Sequence, residues 1–213
     1  MFYGLAEPEE KENEPKKLEK TDVDTPLMKQ YIGVNDIVVT HISGKKKLNK
    51  DREYPILRLH ALTHPQNGTE FYFGYIKGRL SRQTEIKVRV NMQDYKLEAV
   101  AKEERVLEKD YTVGRDEKFN FYAVDSSLLK QILTTKTGVS FYDDVDRKEF
   151  KVDKMPKAWL EACTLLTDGE AFEQWKQEQL DFKEEHPILN FCRSHKKLVI
   201  IVIVAIIAAL LLL

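Results

Sequence analysis

Very little in this sequence is equipped for covalent or metal chemistry. The 213 residues hold two cysteines, Cys163 and Cys192, with no CxxC spacing. That excludes a disulfide framework and favours a reducing compartment. Neither charge is in excess: 34 Lys and Arg stand against 35 Asp and Glu. A general nucleic-acid binder carries a basic surplus, so no nucleic-acid partner is expected. Glycine is scarce, at nine residues, and none of it forms a phosphate-cradling loop. No GxSxG nucleophile elbow and no HExxH zinc helix occurs. The apolar tip Met1–Leu5 runs straight into EPEEKENEPKKLEK. A secretory signal needs an apolar stretch of roughly 7–15 residues, so no signal peptide is expected.

The residue groups that superficially suggest chemistry have plainer readings. His60 and His64 stand four apart, a zinc spacing on a helix. They fall in a strand region running into Pro65, with no third ligand, and read as surface or edge histidines. Asp143, Asp144 and Asp146 imitate a calcium loop but lack its glycine and distal glutamate, so a solvated turn is expected. Cys163 lies on the apolar stripe of a helix and reads as a structural thiol. Cys192 precedes the last apolar run by six residues, where acylation at a membrane interface is conceivable. Asn67-Gly68-Thr69 matches the glycosylation pattern but reads as a turn in a cytoplasmic chain. No cofactor or metal is therefore expected.

What the chain has in abundance is one apolar run. Leu198 to Leu213 reads LVIIVIVAIIAALLLL. A helix of that composition has no face for water, but in lipid it satisfies its own backbone and buries every side chain. Sixteen residues at a 1.5 Å rise span roughly 24 Å, a little short of a hydrocarbon core. Lys196 and Lys197 extend the reach by laying their stems along lipid. Arg193, His195, Lys196 and Lys197 form a basic flank at the membrane interface on the N-terminal side, and nothing basic follows. The positive-inside rule then predicts a single-pass, tail-anchored chain with its N-terminal domain in the cytoplasm.

Ahead of that run the chain divides by composition. Residues 1–30 are rich in Glu, Lys, Pro and Asp and are expected to be disordered. Residues 31–166 read as a β-rich domain. Glu85–Met92 alternates strictly, with Ile86, Val88, Val90 and Met92 on one face. Further strands are expected over Asp36–Ser43, Pro55–Leu62, Glu70–Lys77, Tyr95–Ala101, Lys118–Ala123, Val139–Tyr142 and Glu149–Val152. Asn67-Gly68 signals a hairpin turn. One helix interrupts them, capped near Asp125, with Leu128, Leu129, Ile132 and Leu133 on one stripe. The pattern predicts a mainly β fold, a β-sandwich or partly open barrel with one covering helix, followed by C-terminal helices and the transmembrane helix. Trp159, Ala162, Cys163 and Leu166 mark a helix packed on that domain. Residues 167–197 read as a helical stalk, with Phe172, Trp175, Gln179 and Phe182 along one seam.

The functional expectation is non-enzymatic: a membrane-anchored cytoplasmic module that presents a surface to protein partners within a larger assembly. The alternatives are a membrane-tethered enzyme with scattered site residues and an anionic-lipid-binding module. The lipid reading rests on a basic turn formed by Lys45, Lys46, Lys47 and Lys50, with Lys77, Arg79, Arg82, Lys87 and Arg89 downstream. Each such charge gains about 1 kcal/mol near an anionic surface. Asp51 and Glu53 dilute the cluster, and a solvated face is the plainer reading.

Overall fold

The computed structural model describes residues 19–52, 55–76, 85–100, 119–143 and 147–185. The chain is mainly β, in two antiparallel sheets, with helices towards the C-terminus. The first sheet takes β1 (Glu19–Asp24), β2 (Met28–Ile32), β3 (Val38–Ile42), β4 (Lys46–Lys47), β5 (Ile56–His64), β6 (Gly68–Ile76) and β9 (Phe119–Val124). Its order is β1-β2-β3-β5-β6-β9, with β4 pairing β5 beyond the end of β3. The second sheet has the order β11-β10-β7-β8, built from β7 (Glu85–Val90), β8 (Gln93–Glu98), β10 (Val139–Asp143) and β11 (Lys148–Val152).

Local chemistry explains the connections. His64 pairs with Gly68 across the tip of the longest hairpin, and Gly68 takes φ +80°, a conformation open to glycine. Asp125 caps α1 (Ser126–Thr134), its carboxylate accepting from the backbone N–H groups of Ser127 and Leu128. Leu128, Leu129 and Ile132 then turn inward. The helix α2 (Lys157–Thr167) buries Trp159 and Ala162.

The main core lies between the sheets. The alternation of β6 directs Phe71, Phe73 and Tyr75 to one side. Phe73 meets Phe141 of β10 edge-on at 6.1 Å and Trp159 of α2 at 6.1 Å. The Tyr75 hydroxyl donates to the Asp143 carboxylate at 2.9 Å. Beyond β8, Ala99 bridges Tyr122, and the Val100 N–H donates to the Phe121 carbonyl at 2.8 Å. The two sheets are thus hydrogen-bonded to each other at one corner, along the free edge of β9.

The central strands are buried on both faces, unlike an ordinary antiparallel sheet with one wet side. On the face away from the small sheet, Val39, Ile56, Leu62, Tyr72, Ile76 and Phe121 form a second apolar cluster, with Tyr31, Ile37 and Val100 packed on it.

Three expectations need correction. The segment read as disordered to residue 30 contains β1 and β2, so the described fold begins at Glu19. Val23 and Met28 are buried at 4% and 0% exposure. The charges that suggested disorder sit on the outside, where Asp24 binds both Lys20 and Lys29. Met92 does not continue the inner face of β7. Asn91 and Met92 take φ of 50° and 65° and form the two-residue turn to β8, leaving Met92 95% exposed. Lys46 and Lys47, read as part of a turn, form the short strand β4.

Residues from Asp168 form a separate unit. Its described part is α3 (Gly169–Glu185), capped by Asp168, whose carboxylate accepts from the Ala171 N–H at 3.1 Å. Phe172 and Trp175 stack at 5.8 Å along it. The rest of the stalk read from the sequence, and the predicted membrane helix over 198–213, lie outside the described residues. Among the described residues no helix is long and apolar enough to cross a membrane.

Candidate functional site

Ionisable side chains gather on the outer face of the large sheet, the face carrying the second cluster. Antiparallel register places His41 of β3 directly opposite His60 of β5. Their rings meet edge-on at 5.3 Å, with Tyr31 against His41 at 5.2 Å and Phe121 against His60 at 5.6 Å. Arg58 lies two residues along β5 on the same face, opposite Gly74 of β6. A methyl group at that glycine would stand 3.0 Å from His60 Nε2, a crowded contact that the imidazole would have to relieve by shifting. Burial holds both imidazoles neutral. It pushes the His41 pKa down to about 4, with the Arg58 charge adding to the effect. His60 is held well below the ordinary range by burial, then by His41 and Arg58.

At the end of the same face the sheet opens into a cleft of 680 Å³. Leu62 and His64 enter it from β5, Glu70 and Tyr72 from β6, and Asp125 from the start of α1. The Tyr72 hydroxyl donates to Glu70 Oε2 at 2.5 Å, and His64 Nε2 lies 3.6 Å from the same oxygen. Asp125 is held below the ordinary carboxylate range by the Ser127 hydroxyl and by the backbone N–H groups it caps. The cleft combines an apolar wall with two carboxylates, a volume suited to a small ligand or a protruding side chain.

The residues singled out from sequence are distributed as follows. His60 and His64 share the outer face of β5 but have different neighbours, His41 for one and Glu70 for the other. Far from being a surface or edge residue, His60 is 1% exposed. Among the described residues no three His, Cys, Asp or Glu side chains are placed to hold a metal ion. Asp143 is buried rather than solvated, because the strand register points it at Tyr75; Asp144 and Asp146 lie outside the described residues. Cys163 is half-buried, and burial pushes its thiol up to about 12, which removes the thiolate at neutral pH. Cys192 and the basic flank Arg193, His195, Lys196 and Lys197 lie outside the described residues.

The lysine cluster does not converge. Lys46 stands opposite Leu57 and Lys47 opposite Ile56, so the two point to opposite faces of the sheet. Lys45 and Lys47 are exposed, and Lys50 sits 3.7 Å from Asp153. Downstream, Arg89 is engaged by both oxygens of Asp94, at 2.5 and 2.8 Å, and Lys87 lies over the Tyr142 ring at 5.6 Å.

Neither the His41–His60–Arg58 group nor the cleft was foreseen. His41 meets His60 through the β3–β5 pairing and Asp125 reaches the cleft through the β6–β9 pairing, and no local motif announces either. A usable signal was present in ILRLHAL and FYFGYI, whose near-continuous apolar character marks strands buried on both faces. Comparison of the chain with family models, with curated proteins and with solved structures finds no match.

Proposed function

We propose that this chain is a membrane-attached interaction module, whose β-rich domain works on the cytoplasmic side and presents a surface to protein partners. The observation that carries the reading is the apolar run Leu198–Leu213 with the basic flank Arg193, His195, Lys196 and Lys197 before it. Sixteen consecutive residues without a polar side chain are costly to expose to water and well matched to lipid. Moving the flanking charges through hydrocarbon costs about 2.5–3.5 kcal/mol each, which favours keeping them, and the domain they follow, inside. The two sheets are read as a β-sandwich joined at the β8–β9 corner, a scaffold that displays loops and edges to partners.

The anionic-lipid reading of Lys45, Lys46, Lys47 and Lys50 draws less support. The strand alternation of β4 divides the charges between two faces, and a headgroup surface is met by charges on one face.

The experiment is protease added to intact cells or right-side-out vesicles. Protection of the β-rich domain until the membrane is permeabilised is the expected result. Digestion from outside overturns both the topology and the cytoplasmic-partner reading.

A further inference from the structure

The outer-face cleft differs in character from the rest of the described surface. Its wall is apolar, supplied by Ile37, Leu62 and Ala123, and its rim carries the carboxylates of Glu70 and Asp125. Two other clefts carry both signs, with Lys154, Lys157 and Glu161 in one and Arg89, Lys151 and Glu149 in the other. Among the described lining residues there is no Lys or Arg, and His64 is the one basic group. We propose that this cleft receives a lysine or arginine side chain from a segment of the protein partner.

Each part of such a side chain has a counterpart here. The methylene stem lies along the apolar wall, as long basic side chains do wherever their heads reach a polar rim. The charged head meets Glu70, whose carboxylate is steadied by the Tyr72 hydroxyl at 2.5 Å. That bond occupies Oε2 and leaves Oε1 for a charge-assisted bond from a guanidinium or ammonium group. Asp125 uses Oδ1 to accept from Ser127 and Leu128, which fixes its carboxylate at the mouth and leaves Oδ2. Both rim residues are thus held by neighbours, so little side-chain freedom is lost when a cation arrives.

A bare metal ion is a poorer occupant. Among the described residues no three-ligand group exists, and 680 Å³ far exceeds one ion. An acidic segment would place like charges against Glu70 and Asp125.

The proposal rests on the partner-surface reading, and its test is separable from the test of membrane attachment. The full chain, labelled with nitrogen-15 in detergent micelles, is titrated with the blocked tripeptides acetyl-Gly-Arg-Gly-amide and acetyl-Gly-Lys-Gly-amide, with the Gln and Glu analogues as controls. The expected result is saturable amide shifts at Leu62, Glu70, Ala123 and Ser126 with the basic peptides alone. The double variant Glu70→Gln with Asp125→Asn should bind about tenfold more weakly or worse. Both replacements keep size, and asparagine still caps a helix, so spectral dispersion should be unchanged. An equal response to the Gln peptide, shifts centred elsewhere, no saturable response, or undiminished binding by the double variant each overturns the proposal. Failure here with the domain still protected from external protease removes the cleft alone. Digestion from outside with peptide binding intact removes the membrane reading alone.

Discussion

His41 and His60 face each other across two strands, and their neutrality ties the stability of the fold to pH. In an unfolded chain each titrates near 6.5, while in the fold His41 stays neutral down to about 4 and His60 is likewise depressed. Between those limits the unfolded state binds more protons than the folded one, so acidification favours unfolding. The stabilisation is complete above pH 6.5 and is lost as pH falls towards 4, by roughly 2 kcal/mol for His41 once its partial exposure is discounted. Urea midpoints measured across that range should fall with pH, and His41→Phe with His60→Phe should flatten the slope. Gly74 belongs to the same constellation. A methyl group there stands 3.0 Å from His60 and 3.3 Å from Phe121. Gly74→Ala should therefore cost about 1–3 kcal/mol by crowding a packed face, read as a shift of the denaturation midpoint.

Elements are bounded by turns, and the β7–β8 turn stores strain. Met92 occupies the left-handed region at φ 65°, where a non-glycine residue costs about 1–2 kcal/mol. Met92→Gly creates an Asn-Gly turn of the preferred kind and should stabilise the domain by about 0.5–1 kcal/mol; an unchanged or lower melting temperature would contradict the turn assignment. The β1–β2 hairpin makes the opposite kind of claim. Met28 is fully buried, so Met28→Ala should cost about 2–5 kcal/mol. Removing residues through Gln30, a segment whose composition suggested disorder, should destabilise the fold further.

Legibility in the sequence followed alternation. All eight strands expected from the pattern occur, within a few residues at their ends, because each carries its own apolar period or turn signal. β1 was missed because EKTDVD places charge on its exposed side and a single valine on its buried one. Met92 was misplaced because period two cannot say where a strand stops and its turn begins. The hairpin joining His64 to Glu70 was marked by Asn67-Gly68, but the arrival of Asp125 at the same cleft depends on the β6–β9 register, which no short-range pattern encodes.

At the scale of the whole molecule, two sheets enclose one core, a second apolar cluster lies on the large sheet's far face, and a separate unit begins at Asp168. The functional account then depends on what Leu198–Leu213 does. If it spans a bilayer, the β-rich domain is confined to a surface, where even a weak side-chain contact gains from high local concentration. Carbonate extraction of membranes tests this most directly, applied to the full chain and to a variant lacking residues 198–213. The account predicts that the full chain stays in the membrane pellet through alkaline carbonate and high salt, while the shortened variant is recovered in the supernatant, folded. Release of the full chain by salt or carbonate would contradict it.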